Sequence, residues 1–514
     1  MRLSKNTLAQ ISILHPATSP GSEVSLPNPA VFDLPEKVLQ FGTGVFVRGL
    51  IDYYIDKANH VGLFNGRIVM VKSTQVGDVS DLSDQDGLYT LIMKSVDGET
   101  HLEDKRVCAA ISRTLDARTQ WADVLTCAAN PELTVIISNT TENGIMLQLD
   151  EKIDASPPNS FPGKLLAFLR KRYEAFNGSE ESGLVILPTE LIPGNGTLLN
   201  RIVNDMAQSN GLPEDFVRWL NTANDFCSTL VDRIVPGKPP AEEHRQLESL
   251  LGYEDRAMVM AETYGLWAIE TDRPRTKELL SFSGADPGIH VVPDISKFRE
   301  LKLRLLNASH NLSCAVGYLC NFGTVREAMD NSNFNRYMED LILEDIAMSI
   351  VDTADITPGE AEAFGLSVLQ RYRNPYIGFE WLSICVQDTS KLRIRAVPVI
   401  RQHYDKYGFV STRLALSFAA YILFMHTETD GEGNYKGVSF GREYRVIDDY
   451  AVDMHRMWSK YSGRTLVRNV LEDVRLWGTD LNFLNGFAEQ VYIYLKRWQD
   501  RETSIFSDIK KLSI

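Results

Sequence analysis

The chain has few cysteines, and none of them is spaced for a metal or a redox centre. Six cysteines occur in 514 residues, which is too sparse for a disulfide scaffold. There is no C-x-x-C pair and no Cys/His spacing suited to zinc. We therefore predict buried, free thiols in a protein of a reducing compartment.

An excess of basic residues is also missing. The chain has 53 Lys and Arg against 68 Asp and Glu, which gives a formal net charge of −15. Affinity for DNA or RNA comes mostly from neutralising phosphates, so this balance argues against a nucleic-acid partner. It fits an acidic enzyme that acts on a small molecule. An anionic substrate would need basic side chains gathered at its site.

Long hydrophobic runs are missing as well. The first 20 residues contain only a four-residue apolar run, which is too short for the core of a signal peptide. The longest apolar stretch, residues 414–425, is shorter than a membrane span. We therefore expect a soluble, cytoplasmic protein with no membrane partner.

The first half of the chain alternates between strand and helix patterns. Residues 1–35 are rich in Pro, Ser and Asn and predict an irregular leader. An apolar strand, a glycine turn, an amphipathic helix and a second apolar strand then predict a βαβ unit over residues 37–71. Further strand patterns follow at 87–93, 133–139 and 184–191. This alternation predicts an α/β domain with a largely parallel sheet.

The second half has a different pattern. Long amphipathic stretches dominate, which predicts a mostly α-helical domain. A segment punctuated by Pro and Gly at 286–296 separates the halves, and we place the boundary near residue 290, giving domains 1–290 and 291–514. The Gly-rich polar segment 427–441 predicts a surface loop.

A glycine turn stands directly between the first strand and the first helix. In a dinucleotide-binding fold, Gly42 would form the tight turn and Gly44 would let the backbone approach the pyrophosphate at the helix N-terminus. The third glycine of the G-x-G-x-x-G pattern is absent, because that position is Val47 and the next glycine is Gly49. An ordinary turn is the alternative interpretation.

In a dinucleotide-binding fold, a residue at the end of the second strand contacts the adenosine ribose of the cofactor. An acid there binds the 2′-hydroxyl of NAD, whereas a basic residue can accommodate the 2′-phosphate of NADP. The sequence offers Lys72, Ser73 and Thr74, with no acid before Asp78. The residues alone leave the choice between NAD and NADP open.

Three polar residues in the second half share one helical pattern. Lys302, Asn307 and His310 fall at about 0°, 140° and 80° on an α-helical wheel, so they share one broad face. A lysine that exchanges a proton with a carbonyl oxygen, beside an amide and an imidazole that hydrogen-bond the substrate, would suit carbonyl reduction. A surface lysine beside two packed polar residues is the alternative.

Several segments together resemble a known family. FGTGVFVRG (41–49), SDQDGLYTLI (83–92), STLVDRIVPG (228–237) and KLRLLNASHNL (302–312) resemble the polyol-specific long-chain dehydrogenases, the mannitol dehydrogenase family. The resemblance extends from about residue 37 to beyond 425. It implies a Rossmann-type N-terminal domain, a mostly helical C-terminal domain, and a metal-free active site in the cleft between them.

The resemblance also implies roles for particular residues. Lys302 would be the catalytic acid and base, Asn307 the amide that stabilises the oxyanion, and His310 a substrate ligand. The cofactor would be NAD, with NADP as the alternative. We assign cofactor binding to the glycine turn and to nearby strand ends, namely Phe41, Gly42, Thr43, Gly44, Val45, Phe46, Lys72, Asn139 and Thr140.

One departure from the family pattern bears on the substrate. Mannitol-type members carry a second oxyanion asparagine in a D-N-L sequence, where this chain has Glu190-Leu191-Ile192. Asn195 or Thr189 would then replace the missing amide donor, unless the site has a single amide. The departure counts against mannitol and favours a subclass that handles uronates.

A uronate or aldonate substrate needs a cation for its carboxylate. We predict substrate contacts from polar residues near the departure and from two basic clusters, namely Glu190, Asn195, Arg371, Arg373, Lys391 and Arg393. The predicted function is hydride transfer between a nicotinamide cofactor and a uronate. Oxidation of mannonate or mannitol, and a non-catalytic nucleotide-binding protein, are the alternatives. The sequence does not predict an oligomeric state.

Overall fold

The structure, a computed structural model, describes residues 1–15, 24–74, 77–98, 100–140, 144–430 and 432–513. The chain divides into two compact units, Met1–Ser95 with His101–Ile295 and Val96–Thr100 with Ser296–Ile514. The boundary that we predicted near residue 290 falls inside a strand of the first unit, Ile289–Val292. The turn to helical structure begins at Ser296.

The strands of the first unit are β1 (Glu36–Phe41), β2 (Arg67–Lys72), β3 (Tyr89–Asp97), β4 (Thr100–Cys108), β5 (Ile111–Asp116), β6 (Val135–Ser138), β7 (Val185–Pro188), β8 (Asp225–Phe226), β9 (Thr229–Asp232), β10 (Val259–Ala261), β11 (Leu266–Glu270) and β12 (Ile289–Val292). Its α-helices are α1 (Leu8–Leu14), α2 (Val45–Val47), α3 (Tyr53–His60), α4 (Ser80–Asp84), α5 (Trp121–Thr126), α6 (Phe161–Ala175), α7 (Asn195–Ser209), α8 (Glu214–Thr222), α9 (Ala241–Leu251) and α10 (Pro274–Leu279). A π-helical segment, Arg48–Asp52, joins α2 to α3, and 3₁₀ turns lie at Lys5–Thr7, Pro29–Asp33, Cys127–Ala129, Glu180–Ser182 and Ser281–Ala285.

The main sheet of the first unit has six strands within the described residues, in the order β5-β2-β1-β6-β7-β8. All of its neighbouring strands run parallel. Counted along the chain, the order is 3-2-1-4-5-6, which is that of doubly wound dinucleotide-binding sheets. The Rossmann-type prediction for the N-terminal domain is confirmed. The order reverses between β1 and β6, so the switch point lies at their carboxyl ends.

The sequence pattern explains why this sheet is buried on both faces. The strands are runs of apolar residues without alternation, and every residue of β2, β6 and β7 is buried, as expected where helices cover both faces of a parallel sheet. Two smaller sheets, β10-β3-β4 and β12-β11-β9, complete the unit. The strand that we predicted at 87–93 therefore exists but belongs to a side sheet.

The N-terminal leader is more ordered than we predicted. Besides α1 and the 3₁₀ turns, Leu3, Ile11 and Val31 are buried in a hydrophobic cluster with α9. The Leu3 N–H donates to the Glu254 carbonyl at 2.9 Å, so the chain start is bound to the unit. Composition suggested an irregular segment because its Pro and Ser hide these few apolar anchors. Residues 16–23 lie outside the described part of the leader.

The α-helices of the second unit are α11 (Ser296–Leu301), α12 (Ser309–Leu319), α13 (Val325–Met329), α14 (Ser332–Asp340), α15 (Met348–Ile350), α16 (Pro358–Tyr372), α17 (Trp381–Ile384), α18 (Asp388–Tyr407), α19 (Thr412–Phe424), α20 (Ala451–Lys460), α21 (Gly463–Glu472), α22 (Val474–Trp477), α23 (Phe487–Gln499) and α24 (Ile505–Leu512). Its π-helical segments are Lys302–Ala308 and Leu341–Ala347, its 3₁₀ turns are Thr353–Asp355 and Leu481–Phe483, and its strands are β13 (Glu428–Thr429), β14 (Tyr435–Ser439) and β15 (Arg442–Val446).

The prediction of a mostly helical C-terminal domain is confirmed, with one correction. The segment 427–441, which we predicted to be a loop, contains β13 and β14 of a small antiparallel sheet. Its glycines and polar residues concealed the strands because only one residue of β14, Gly437, is buried. In the described part of the chain, every cysteine is free, and all except the half-buried Cys320 are buried. Among the described helices, none combines the length and apolar character that crossing a membrane requires.

Candidate functional site

The glycine turn follows β1 at the switch point of the main sheet. Gly42 has φ +140°, and a Cβ atom on it would lie 2.8 Å from the carbonyl oxygen of Asn139. The Gly42 N–H donates to Val71 on β2 at 3.1 Å, and the Asn139 N–H donates to Phe41 at 2.9 Å. Gly42 is therefore required by the close approach of three strand ends.

Gly44 has a different reason to be glycine. It is the N-cap of the helix that runs through α2 to α3, with φ −67° and ψ 162°, which any residue can adopt. A Cβ on Gly44 would meet nothing within 4 Å. This open space in front of a helix N-terminus fits the close approach of a phosphate to backbone N–H groups.

Gly49 supplies the packing that the missing third glycine of the motif would provide. A Cβ on Gly49 would lie 2.9 Å from the side chain of Val235, so the helix can pack against the segment 228–237 only without a side chain there. Gly49 was not among the predicted cofactor-binding residues.

A buried polar pair lies beneath the turn. The Gln40 Nε2 donates to the Gly42 carbonyl at 3.2 Å and to Asp52 Oδ2 at 3.4 Å. Burial raises the pKa of Asp52 to about 7, and the nearby Arg48 guanidinium opposes this shift. We did not predict this pair. The signal was present, because Gln40 is a polar residue in an otherwise apolar strand.

Lys72 ends β2 beside the carboxyl end of β5. Its Nζ forms an ion pair with Asp116 Oδ2 at 3.2 Å, and the two residues are register partners in the parallel strands. Arg118 binds the same carboxylate from the turn after β5. The hydrogen bonds from Arg118, with those from Lys72, hold the pKa of Asp116 well below its usual range.

The ends of β6 and β7 are joined through Glu190. Its carboxylate accepts hydrogen bonds from the Thr140 N–H at 2.8 Å, the Thr140 Oγ1 at 2.9 Å and the Ser138 Oγ at 3.1 Å. Burial raises the pKa of this carboxyl, and the hydrogen bonds from Thr140 and Ser138 oppose the shift. Glu190 therefore shapes the strand end that carries Asn139 and Thr140, two of the predicted cofactor ligands.

Asn195 has a structural role, which corrects our prediction of a substrate contact. Its Nδ2 donates to the carbonyls of Pro188, Glu190 and Thr229. Its Oδ1 accepts from the N–H groups of Gly196 and Thr229. The amide is fully buried and spends its hydrogen-bonding capacity on backbone groups. It does not replace the missing oxyanion donor.

Thr189 is also engaged. Its hydroxyl donates to the Ser138 carbonyl at 2.7 Å and accepts from Asn139 Nδ2 at 2.9 Å. Leu191, at the position of the mannitol-type asparagine, is 62% exposed. Thr189 is therefore engaged with the end of β6.

In the second unit, the helix from Ser296 to Leu319 contains a π-helical segment, Lys302–Ala308. In a π-helix the hydrogen bonds run between residues i and i+5, so Lys302 and Asn307 lie one above the other. The α-helical wheel had placed them about 140° apart. The structure therefore aligns the two residues better than the sequence pattern implied. Short π-helical turns occur frequently at functional sites.

In the segment 302–317 the half-buried polar residues are the three predicted ones, and Leu303 is the half-buried apolar residue. Between residues 304 and 317, all side chains are buried except Asn307 and His310, which are half-buried, and Lys302 is half-buried as well. His310 stacks on Tyr372 with ring centroids 4.3 Å apart and meets the edge of Phe379 at 5.9 Å. The Tyr372 hydroxyl donates to the Leu306 carbonyl at 3.0 Å, which anchors the stack to the helix.

Asn311 fixes the rotation of the helix next to His310. Its Nδ2 donates to Asp388 Oδ1 at 2.7 Å, and its Oδ1 accepts from Arg395 Nη1 at 2.9 Å. Burial raises the pKa of Asp388 to about 7, against the hydrogen bond from Asn311. This pair was not predicted, because 77 residues separate Asn311 from Asp388 in the chain.

The basic clusters contribute differently from what we predicted. In the 371–373 cluster, Tyr372 contacts His310, whereas the Arg373 guanidinium is bound by Glu339 and Asn335. Arg371 is buried. In the other cluster, Lys391 donates to the Ile384 carbonyl, and the exposed Arg393 donates to the Arg475 carbonyl. Neither Arg373 nor Arg393 is placed as a carboxylate ligand by these contacts.

A doubly wound sheet with a glycine turn at its switch point, and a helix that presents a lysine, an amide and an imidazole, define a two-unit, nucleotide-dependent dehydrogenase. Family comparisons agree. The description "Mannitol dehydrogenase Rossmann domain" matches residues 36–280, and "Mannitol dehydrogenase C-terminal domain" matches residues 294–499. The chain belongs to the mannitol dehydrogenase family and is a dehydrogenase that acts on CH–OH groups of polyols or aldonates.

Individual relatives are similar along most of the chain. An altronate oxidoreductase of Bacillus subtilis is 35% identical over 90% of this chain and 92% of its own length. One of Halalkalibacterium halodurans is 38% identical over 89% and 90%. Among solved structures, mannitol 2-dehydrogenase of Pseudomonas fluorescens matches 100% of this chain and 99% of its own with TM-score 0.69 and 22% identity. A D-sorbitol dehydrogenase matches 99% and 100% with TM-score 0.79 and 19% identity. These structures share the fold.

Proposed function

We propose that this protein interconverts D-tagaturonate and D-altronate with NAD(H) and without a metal ion. The observation that carries the proposal is the helix segment 302–317, in which Lys302, Asn307 and His310 are the half-buried polar residues and a π-helical turn aligns the first two. The relatives named altronate oxidoreductase, at 35–38% identity over about 90% of the chain, support the substrate. The exposed Leu191 disfavours mannitol, whose enzymes carry an amide there.

The residues of the first unit fit a dinucleotide. Gly42 tolerates no Cβ, Gly44 opens onto free space, and the helix N-terminus after Gly44 presents unpaired N–H groups for phosphates. The residues that would hold the cofactor are those of the turn and the neighbouring strand ends, Phe41 to Phe46 together with Asn139 and Thr140. The nicotinamide, when bound, supplies hydride in reduction and accepts it in oxidation.

The second unit supplies the proton chemistry. In reduction, the Lys302 ammonium donates a proton to the oxygen that was the keto group of tagaturonate. In oxidation, the neutral amine removes the proton from the corresponding hydroxyl of altronate. The Asn307 amide donates a hydrogen bond to the developing alkoxide. His310, held flat against Tyr372, orients a neighbouring hydroxyl.

Arg371 is our candidate for binding the substrate carboxylate. It is buried and adjoins Tyr372, which packs on His310. We propose NAD over NADP because Asp116 binds Lys72, the cation that ends β2.

An absorbance assay at the reduced-nicotinamide band tests the proposal. Tagaturonate should be reduced with NADH, faster than with NADPH, at a rate that a chelator leaves unchanged. Fructose, the uncharged analogue, should be reduced at least tenfold less efficiently, because it lacks a charge-assisted contact of about 1.5–3 kcal/mol. Equal use of fructose would replace the uronate assignment with a polyol dehydrogenase. Binding of NADH without turnover of any sugar acid or polyol would indicate a non-catalytic protein.

A further inference from the structure

The carboxyl edge of β2 and β5 lies beside the glycine turn, on the outer side of β1 in the strand order. In doubly wound sheets this is where the adenosine ribose of a dinucleotide is read, usually by an acid at the end of the second strand. Here the strand ends in Lys72-Ser73-Thr74 and provides no acid. A carboxylate nevertheless reaches this edge, because Asp116 at the end of β5 is the register partner of Lys72.

Asp116 binds two cations from this position. Its Oδ2 lies 3.2 Å from Lys72 Nζ. Arg118 grips the same carboxylate with its backbone N–H at 3.0 Å, its Nε at 3.2 Å and its Nη2 at 2.8 Å. The Lys72 side chain is only 7% exposed and that of Asp116 19%, whereas that of Arg118 is 42% exposed. The ion pair is therefore fixed against the sheet edge, with Arg118 covering its outer side.

The charge balance of this cluster is one carboxylate against two cations. A further polar group adjoins it, because the Ser73 Oγ is buried and makes no hydrogen bond within the described structure. Buried hydroxyls are normally satisfied, and one left open at a strand end is suited to a ligand oxygen. The edge thus combines a restrained positive charge with an open hydroxyl, where a 2′-hydroxyl or a 2′-phosphate would lie.

We propose that Asp116 determines which dinucleotide the protein prefers. It holds Lys72 and Arg118 in ion pairs, and so keeps both cations from pairing with a 2′-phosphate. This inference rests on the proposed dinucleotide function. It assigns cofactor choice to β5, whereas the usual acid stands on β2. Since no unpaired carboxylate stands at residues 72–74, the preference for NADH arises from neutralised cations, not from repulsion of the phosphate.

The test replaces Asp116 by asparagine, which keeps the size of the side chain and an acceptor for the Arg118 N–H. NADH and NADPH are titrated by fluorescence at fixed ionic strength, with the whole protein. The ratio of NADPH to NADH affinity should rise at least about tenfold, as expected when two cations become available to a phosphate. The gain should shrink at high salt.

The chain offers a matched control. In the second unit, Asp473 binds Arg475 in the same Asp-x-Arg arrangement, through the backbone N–H at 2.9 Å, Nε at 3.1 Å and Nη2 at 2.6 Å. Asp473→Asn removes an ion pair of the same geometry in the other unit. It should leave the ratio of NADPH to NADH affinity unchanged. A shift in this control as large as that in Asp116→Asn would overturn the inference, because net charge alone would then explain the effect.

Arg118→Ala provides a second variant at a more exposed side chain. Loss of one cation should move the ratio in the opposite direction, towards NADH, by about tenfold or less. Unchanged ratios in both Asp116→Asn and Arg118→Ala would overturn the role of Asp116. If the wild-type protein bound neither dinucleotide, the proposed function itself would fail, and this outcome is distinguished by the first titration.

Discussion

The carboxyl edge of the main sheet and the helix from Ser296 to Leu319 differ in how their polar side chains are engaged. The edge gathers polar groups from several strand ends, and most of them are used on one another or on the backbone, as Asn195 and Glu190 show. The helix keeps its chemistry within nine residues and leaves it accessible. Polar residues of the edge mainly fix its shape, whereas those of the helix are the ones that our proposal assigns to the substrate.

The largest expected effect is on the helix. Lys302→Ala should lower kcat by about 10²–10⁴, the range for loss of a general acid, and leave NADH affinity unchanged. A primary amine added to the assay should restore part of the rate. Lys297→Ala, one turn earlier and paired with Glu360, is the control and should keep its activity. Retention of more than about half of the wild-type kcat in Lys302→Ala would remove this lysine from the mechanism.

Two glycines of the edge are expected to affect different properties, one the affinity for NADH and the other the stability of the fold. Gly44→Val should fold with a loss of about 1 kcal/mol or less but lose NADH affinity by at least about a hundredfold, because the new side chain fills the open space at the helix N-terminus. Gly42→Ala should instead destabilise the protein by about 1–3 kcal/mol, because its φ is +140° and its Cβ meets a backbone oxygen.

Thermal unfolding and a fluorescence titration of both glycine variants check this contrast. Gly44→Val that bound NADH as tightly as the wild type would place the phosphate site elsewhere.

Two asparagines test the same division between the units. Asn195→Ala removes a donor from three carbonyls and the acceptor of the buried Thr229 N–H, and it should destabilise the fold by about 2–4 kcal/mol. Asn307→Ala should lower kcat by about 10–10³ with little change in the unfolding temperature. Calorimetry and steady-state kinetics on both variants give the comparison. Reversed outcomes would mean that Asn195, and not Asn307, faces the substrate.

The last prediction concerns the pH dependence of stability. Each unit buries a carboxyl whose pKa is raised to about 7, Asp52 beneath the glycine turn and Asp388 beside Asn311. Between about pH 4 and 7, the folded state keeps protons that the unfolded state has released. The free energy of unfolding should therefore fall as the pH rises, by about 1.4 kcal/mol per pH unit for each carboxyl.

Asp52→Asn and Asp388→Asn should each reduce that slope in denaturant unfolding between pH 4.5 and 7.5. The exposed Asp215→Asn serves as the control and should follow the wild type. A slope unchanged in both buried variants would show that these carboxyls are ionised in the folded protein.

The sequence predicted the two classes of fold because these depend on local pattern. The same kind of pattern singles out the three helix residues, whose role stays a prediction. Apolar strands, a glycine turn and a K-x₄-N-x₂-H spacing are visible within short windows. The roles of Asp116, Glu190 and Asn311 were out of reach, since each depends on which segment lies beside it. The order of strands makes Asp116 the partner of Lys72, and 44 residues separate them in the chain.

Polar residue types alone were a poor guide to substrate contacts, because the sequence does not show their hydrogen-bond partners. Asn195 and Arg373 have the side chains that a sugar acid needs, and both are bound by other protein groups. Residue type and proximity to a motif predict that a side chain can bind a ligand. Only the hydrogen-bond partners show whether it is free to do so.

The π-helical segment Lys302–Ala308 determines the direction in which the side chains that follow it on the helix point. Closing a turn over five residues instead of four retards the rotation of His310 and Asn311 relative to Lys302. Loss of one residue between Lys302 and Asn307 would close this turn over four residues, so an even α-helix would still hold both residues on one face. The present spacing in an even α-helix would instead place them about 140° apart. The five-residue spacing and the π-helical turn therefore belong together, and a comparison of these helices must consider both.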